Sequence, residues 1–143
     1  ENYWHSKSEE YIISNLMHII FHWFHDYAFP KQGSRYQPLL EKLRGDIYAH
    51  PEYDWTLEMM AERINLSPRS LQKVYKNFAN VSCISEVIES RMIRAKMLLL
   101  RSAFDVGEIS MQCGYRNVDF CRQFKKHEGC SPSHYRKEHL VRP

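Results

Sequence analysis

The chain has 143 residues, of which 43% are apolar and 26% are charged. This composition supports one packed domain, or a small domain plus part of another, without metals or disulfides. Every apolar run is shorter than the roughly 18 residues that span a bilayer, so we expect a soluble, cytoplasmic protein with no membrane segment. The sequence shows no signal peptide and begins with Glu1 instead of Met, so we expect a fragment of a longer protein or a trimmed chain.

The formal net charge of +3 is small, and its distribution is more informative than its size. Residues 1–36 carry three basic and four acidic side chains, whereas the remainder carries seventeen and thirteen. The excess positive charge therefore lies after residue 36, as an anionic partner requires. A mildly basic domain is also common without such a partner, so charge alone does not decide the function.

The segment Glu1–Phe29 has the pattern of an amphipathic helix with a broad apolar surface. The residues at helical spacing are Ile13, Leu16, Met17, Ile20, Phe24 and Tyr27. A surface of this width requires a partner helix or domain. His18, His22 and His25 share one face at a spacing compatible with a metal or a proton sensor, but a polar rim beside an interface is the favoured interpretation.

A linker and a supporting helix follow this segment. Pro, Gly and Ser interrupt the helical pattern in Pro30–Gln37, as in loops. Helical spacing returns in residues 38–50, where the predicted core positions are Leu39, Leu40, Leu43 and Ile47. Thr56 is then predicted to cap the next helix.

The helix that begins at Ser67-Pro68 has one apolar and one polar face. Ser followed by Pro is a strong helix start, because the hydroxyl caps the first turn and Pro lacks only an N–H that is unbonded there. Leu71, Val74 and Phe78 are predicted to face the core. The outward residues are Arg69, Gln72, Lys73 and Lys76. In a major groove, Arg or Lys can bond guanine O6 and N7, and Gln can bond adenine.

A long connecting helix is predicted from Ile84 to Arg101. Its apolar residues recur at helical spacing, and they are Ile84, Val87, Ile88, Ala95 and Leu98, with Leu99 and Leu100 beside them. Such a helix would pack against the elements on both sides of it and fix their separation.

The stretch after this helix predicts two short helices around a turn. Asp105 and Glu108 have the spacing of a capping box, and Gly114 suits the left-handed backbone that ends a helix. Phe120 and Phe124 lie one turn apart on the next helix, so we expect them to be buried beneath a basic outer face. This arrangement predicts a helix-turn-helix.

A closing helix is predicted to begin at Ser131-Pro132. On it, Tyr135 is expected to pack inward, while Arg136 and Lys137 are expected to be exposed.

The same unit occurs twice, at an offset of 49 residues. The matched pairs are Leu57 with Val106, Met60 with Ile109, Ala61 with Ser110, Asn65 with Gly114, Leu71 with Phe120, Tyr75 with Phe124, Lys76 with Lys125 and Ser82 with Ser131. Two copies separated by a long helix favour a pair of helix-turn-helix units over a helical solenoid.

The second unit has weaker candidates for reading bases than the first. The equivalents of Arg69, Gln72 and Lys73 are Val118, Cys121 and Arg122. Arg122 can donate a bidentate bond, Val118 could touch a thymine methyl group, and Asn117 is a further candidate. Asp119 would repel phosphate unless it is paired. Lys125 and Lys126 are expected to lie near a DNA backbone. This unit is therefore expected to position the protein on DNA more than to specify the base sequence.

The region Tyr36–His139 resembles the DNA-binding domain of the AraC/XylS family of bacterial transcription regulators. The most specific parts are LSPRSLQKVYKNFANVS in the first unit and CGY, FCRQFKK and GCSPSHYR in the second, and ESRMIRAKMLLL is similar to the family's connecting helix. The spacing from Gly114 to Phe120 equals that from Asn65 to Leu71, one residue shorter than is usual in the family's second unit. The resemblance implies an all-α fold of two helix-turn-helix subdomains joined by a long helix, here preceded by an amphipathic helix.

The resemblance also implies sequence-specific binding of double-stranded DNA, with recognition helices in successive major grooves, and activation of transcription with RNA polymerase as a partner. The expected base contacts are Arg69, Gln72, Lys73, Asn117, Val118 and Arg122, and the expected phosphate contacts are Ser67, Lys76, Lys125 and Lys126. Residues 1–36 are expected to end a sensing and dimerisation domain, with a homodimer through Glu1–Phe29 and an effector that the sequence does not identify. Residues 37–143 would form the DNA-binding domain, with its helix-turn-helix units at residues 56–79 and 105–128.

Three other interpretations have less support in the sequence. No phosphate-binding loop, nucleophile motif or H-E-x-x-H pair occurs, so no catalytic function and no cofactor are predicted. Cys83, Cys113, Cys121 and Cys130 lack paired C-x-x-C spacing, so reduced thiols are favoured over disulfides or a zinc site. A helical scaffold for protein partners is the alternative to DNA binding.

Overall fold

The computed structural model describes residues 35–140, together with Ile13, Leu16, Met17, residues 19–21 and Phe24. Residues 35–140 form seven helices and no strand. These are α1 (Gln37–Ala49), α2 (Leu57–Arg63), α3 (Pro68–Ala79), α4 (Cys83–Arg101), α5 (Val106–Gln112), α6 (Asn117–Glu128) and α7 (Pro132–His139). The predicted all-α fold, with two helix-turn-helix units joined by a long helix, is confirmed.

The first helix-turn-helix, α2 and α3, has the predicted caps. The Thr56 hydroxyl accepts a hydrogen bond from the backbone N–H of Met59, and the Ser67 hydroxyl accepts one from Ser70. Between the two helices Asn65 adopts a left-handed backbone with φ of 53°, a conformation that Asn tolerates better than most residues. Local sequence chemistry therefore defines both the start of each helix and the turn.

The second helix-turn-helix, α5 and α6, repeats this geometry at the same offset. Asp105 and Glu108 form the predicted capping box. Gly114 has φ of 73° and occupies the turn position that Asn65 occupies in the first unit. Each recognition helix ends at a left-handed residue, Asn80 or Gly129. The two turns thus have equal length, as the spacing of the sequence predicts.

Two hydrophobic cores lie side by side along α4. The first buries Leu40, Leu43 and Ile47 of α1, Trp55, Met60, Ala61, Leu71, Tyr75, and Cys83 and Val87 of α4. The second buries Met92, Ala95 and Leu99 of α4, Ile109, Cys113, Phe120, Phe124 and Tyr135. The N-terminal half of α4 therefore completes one core and its C-terminal half completes the other.

Buried polar contacts join each recognition helix to α4. Glu86 of α4 forms an ion pair with Arg44 at 3.0 Å and accepts a hydrogen bond from the Tyr75 hydroxyl of α3. Burial and the adjacent Glu86 carboxylate raise the pKa of Tyr75 far above its usual range, so this hydroxyl stays protonated and donates. Lys96 of α4 forms an ion pair with Glu128 of α6 at 2.9 Å.

Three side chains differ from the sequence prediction. Leu39 and Ile84 were expected in the cores, but they are 43% and 38% exposed, since Leu40 and Cys83 take the inward positions. Arg136 was expected to be exposed. It is half-buried, and its guanidinium donates to the carbonyls of Leu99 at 3.0 Å and Phe104 at 2.6 Å, which anchors α7 to the end of α4.

Most of residues 1–34 lie outside the described part of the chain, including His18, His22 and His25. The described members of the predicted N-terminal helix are helical and exposed, and they are Ile13, Leu16, Met17, Ile19, Ile20, Phe21 and Phe24. Among the described residues, no helix combines the length and apolar character that crossing a membrane requires.

The buried Cys113 makes the stability of the second core depend on pH. Burial raises the pKa of its thiol to about 11, above the ordinary thiol pKa of 9.0. Because the folded-state pKa is the higher one, this group's contribution is intact below about pH 9 and is lost as the pH rises towards 11. We therefore expect the free energy of unfolding in urea to fall more steeply between about pH 8 and about pH 11 in the wild type than in Cys113→Ala.

The half-exposed Cys121 provides the control for this measurement. Cys121→Ala should retain the wild-type pH slope, whatever its absolute stability. Parallel curves for the wild type and Cys113→Ala would show that the Cys113 thiol does not limit alkaline stability.

Candidate nucleic-acid interface

The outer face of α3 carries the residues predicted to contact DNA. Leu71 and Tyr75 are fully buried, and this fixes the opposite face of the helix towards solvent. The residues on that face are Arg69, Gln72, Lys73 and Lys76, and all of them are exposed. The structure thus presents three cationic side chains and one amide on a single helical surface.

Helix α6 presents the matching face of the second unit. Phe120 and Phe124 are fully buried against the second core. The predicted contact residues Asn117, Val118, Arg122, Lys125 and Lys126 are all exposed, and Val118 is 78% exposed. An apolar side chain with this exposure adds little buried apolar surface to the fold, but in a major groove it can contact a thymine methyl group.

The basic residues of the described region divide into two groups by their contacts. One group is engaged within the fold: Arg44 with Glu86, Lys96 with Glu128, Arg63 with Asp46 at 3.5 Å, and Arg91 and Arg136 with backbone carbonyls. The other group forms no ion pair within residues 35–140, and its members on the two recognition helices are Arg69, Lys73, Lys76, Lys125 and Lys126. Their charges are available to an external anion.

Arg122 differs from the other basic residues of the recognition helices because it is paired. Its guanidinium lies 2.6 Å from the Asp119 carboxylate one turn earlier, and both side chains are largely exposed. An exposed pair of this kind contributes little to stability. It does limit the orientations of the guanidinium, and it offsets the repulsion of phosphate that an isolated Asp119 would cause.

Ser67 and Arg116 precede the two recognition helices at equivalent positions. Ser67 caps α3 through its hydroxyl, whereas Arg116 gives α6 no side-chain cap and is exposed. The first N–H groups of α6 are therefore open to an external acceptor such as phosphate. Sequence reasoning overlooked Arg116, although the 49-residue offset from Ser67 marks its position.

The thiols and histidines near α6 form no metal centre in the described region. Cys83 and Cys113 are buried and Cys121 and Cys130 are half-buried, all as free thiols. His127 lies 2.9 Å from both Glu89 and Glu128, and His134 contacts Glu138 of its own helix. No group of three potential ligands with metal-binding geometry occurs among the described residues.

Each of the two units has its own buried core and one recognition helix with an exposed outer face. This arrangement defines a tandem helix-turn-helix DNA-binding domain. A family model described as "Helix-turn-helix domain" matches residues 60–138. The chain belongs to the AraC-type helix-turn-helix family of bacterial transcription regulators. It carries the DNA-binding domain of that family.

Individual relatives agree with this assignment. The chain is 37% identical over 84 residues to the HTH-type transcriptional regulator YdiP of Escherichia coli, covering 58% of the chain and 28% of that protein. It is 33% identical over 92 residues to the Msm operon regulatory protein of Streptococcus mutans, covering 62% and 33%. The chain therefore spans only about a third of the length of these curated relatives.

Solved structures show the same fold. The C-terminal domain of AraT, a response regulator from Geobacillus stearothermophilus, superposes with a TM-score of 0.70 at 34% identity, covering 76% of this chain and 92% of that one. The DNA-binding domain of AdpA, determined in complex with a target DNA, gives 0.66 at 25% identity, covering 69% and 90%.

The Asp119 carboxylate is expected to weaken non-specific binding of DNA. Asp119→Asn removes a negative charge from the recognition face and releases Arg122. We expect binding to random-sequence duplex to tighten roughly two- to fivefold, and the salt dependence to steepen by up to about one unit. Fluorescence anisotropy over a series of salt concentrations measures both quantities.

Glu41→Gln provides a matched control, because it makes the same charge change on the exposed surface of α1. It should leave both quantities nearly unchanged. Equal effects from the two substitutions would show that net charge alone matters, and not the position of Asp119.

Proposed function

We propose that this chain binds a two-part site in double-stranded DNA, with α3 and α6 entering successive major grooves, as the DNA-reading part of a larger transcription regulator. The observation that supports this most directly is the repeated recognition face. On both helices, exposed basic side chains without internal ion pairs lie opposite two fully buried anchors. Successive major grooves are about 34 Å apart, and a long connecting helix suits that separation.

The first unit is proposed to supply most of the base recognition. Arg69 and Lys73 can each donate to guanine, and Gln72 can make paired bonds to adenine. Their exposure on consecutive turns of α3 supports contact with neighbouring base pairs. Ser67 and Lys76, nearer the two ends of the same helix, are proposed to contact phosphate.

The second unit is proposed to grip the DNA backbone and to read fewer bases. Arg122 is its candidate for guanine, Val118 for a thymine methyl group, and Asn117 is a further base contact. Lys125 and Lys126 are proposed as phosphate contacts, and Arg116, at the start of α6 without a side-chain cap, is proposed as a third.

Other parts of the proposal depend on the family. A regulator of bacterial promoters would act in the cytoplasm, with RNA polymerase as a partner if it activates transcription; activation stays a prediction, and the effector is not identified. The domain division stays a proposal too: residues 1–36 would end a sensing and dimerisation domain, and residues 37–143 would form the DNA-binding domain.

Selection of bound duplexes from a random pool, at two salt concentrations, tests the two-site proposal. We expect enrichment of two short motifs about one helical turn apart, because each recognition helix reads its own groove. A single enriched motif would contradict base reading by the second unit. No enrichment and no salt dependence would favour a protein scaffold without DNA binding.

Substitutions in the same assay separate base contacts from phosphate contacts. Lys73→Ala and Arg122→Ala should each weaken specific binding by about 1–3 kcal/mol and relax one base position, whereas Lys125→Ala should weaken all sequences alike. Lys42→Ala, on the exposed surface of α1, is the control and should leave binding unchanged. Identical effects of the three recognition-helix substitutions would contradict the division into base and phosphate contacts.

The N-terminal segment Glu1–Phe29 is proposed to associate with a second copy of the chain. Its described apolar side chains support this, since Phe21 is 69% and Phe24 is 64% exposed. Sedimentation velocity should show a concentration-dependent dimer that Phe24→Asp disrupts, while Met111→Asp, at a residue of similar exposure on α5, should have no effect. A wild-type chain that stays monomeric at micromolar concentration would contradict this proposal.

A further inference from the structure

The loop between α1 and α2 contacts the turn of the second helix-turn-helix. Arg91, near the middle of α4, joins them. Its Nε donates to the Pro51 carbonyl at 2.9 Å and its terminal nitrogen donates to the Tyr53 carbonyl at 2.7 Å. On its other side the guanidinium lies over the Tyr115 ring, 4.9 Å from the ring centroid. One side chain therefore touches both units.

Gly114, in the turn of the second unit, also lies close to the loop of the first unit. A Cβ atom at this position would lie 2.8 Å from the Glu52 carbonyl oxygen and 3.1 Å from the Arg91 guanidinium. The left-handed backbone alone does not require glycine, because Asn65 occupies the equivalent turn position with φ of 53°. What excludes a side chain at Gly114 is the close approach of the first unit.

The contact lies directly before the second recognition helix. Tyr115 is followed by Arg116, the N-cap of α6, and by the proposed contacts Asn117 and Val118. The loop between α1 and α2, on the other side of the contact, belongs to the first unit. Its Trp55 is buried in the first core, and the indole N–H donates to the His50 carbonyl at 2.8 Å. A displacement of this loop relative to the Gly114 turn would therefore move α6 relative to α3.

We infer that Arg91 and Gly114 are positioning residues that set which separations of two DNA half-sites the chain accepts. The inference rests on the proposed two-site reading. Each unit also packs on α4, and the contact through Arg91 and Gly114, which lies away from the axis of α4, adds resistance to turning of the units about that axis. Adding one base pair shifts a half-site by about 3.4 Å and rotates it by about 35°, which a rigid pair of recognition helices cannot follow.

Duplexes with the selected half-sites and spacers altered by one or two base pairs test this inference. For the wild type, we expect each one-base-pair change to weaken binding by at least about tenfold, comparable to a mismatch. For Arg91→Ala and Gly114→Ala, the loss should shrink to about threefold or less, with the base preferences of each half-site retained. Circular dichroism establishes that each variant is folded before it is compared.

Gly129→Ala is the matched control. Gly129 has φ of +80°, similar to +73° for Gly114, but no atom lies within 4 Å of the Cβ that would be added. The control therefore carries the same backbone penalty without the contact between units, and it should keep the wild-type spacing profile. If Arg91→Ala and Gly114→Ala bind more weakly at every spacer with an unchanged profile, their role is purely structural and the inference is overturned.

A measurement without DNA separates this inference from the proposed function. Spin labels are introduced through Lys42→Cys on α1 and Lys137→Cys on α7, after Cys121→Ser and Cys130→Ser. Pulsed electron paramagnetic resonance measures the distance between the two labels. It should give one narrow distance distribution in the wild-type background and in Gly129→Ala, and a broader one in Arg91→Ala. An equally narrow distribution in Arg91→Ala overturns the inference, whether or not the wild type selects two half-sites.

Discussion

Each recognition helix is held to the connecting helix α4 by a buried charged residue of that helix. Glu86 accepts from Tyr75 of α3 and pairs with Arg44 of α1, and Lys96 pairs with Glu128 of α6. Removing one partner of a buried pair typically costs about 3–5 kcal/mol, because the other charge is left uncompensated. Apolar packing tolerates small sliding of a helix, whereas a buried charge must keep the distance and direction to its partners. The orientation of both recognition faces therefore depends on these two polar contacts.

The same contacts explain how a net charge of only +3 is compatible with binding a polyanion. Arg44 and Lys96 are neutralised by carboxylates inside the fold, and Arg91 and Arg136 are engaged by backbone carbonyls. Five of the cations without internal ion pairs lie on the outer faces of α3 and α6, and they are Arg69, Lys73, Lys76, Lys125 and Lys126. A count of charges averages over both groups, whereas an anion that approaches the outer faces of α3 and α6 meets the cations that are not paired within the fold. The local field at these faces is therefore more informative about an anionic partner than the net charge is.

Sequence reasoning succeeded where the physical cause is local and failed where it is distant. The caps at Thr56 and Ser67, the capping box at Asp105 and the left-handed turns involve partners within a few residues, and all were predictable. The exposure of Ile84 was not, because helical spacing places it and Cys83 side by side and only tertiary packing chooses between them. Arg91 and Arg136 bond carbonyls 32 to 40 residues away, and no periodic pattern carries that information. For Gly114, the sequence predicted the backbone conformation but not the Glu52 carbonyl that excludes a side chain.

The differences between the two units bear on the symmetry of the DNA site. Repressor dimers read palindromes because two identical units are related by a two-fold axis. Here two unequal units are joined in one chain: α3 presents Arg69, Gln72 and Lys73, whereas α6 presents Val118, an open N-terminus and an Arg122 already paired with Asp119. Unequal donors favour unequal base sequences, and the covalent chain joins the units in one fixed order, with α3 before α6. A single chain of this kind would therefore read an asymmetric DNA site and bind it in one orientation only. That orientation would determine which side of the regulator faces the promoter.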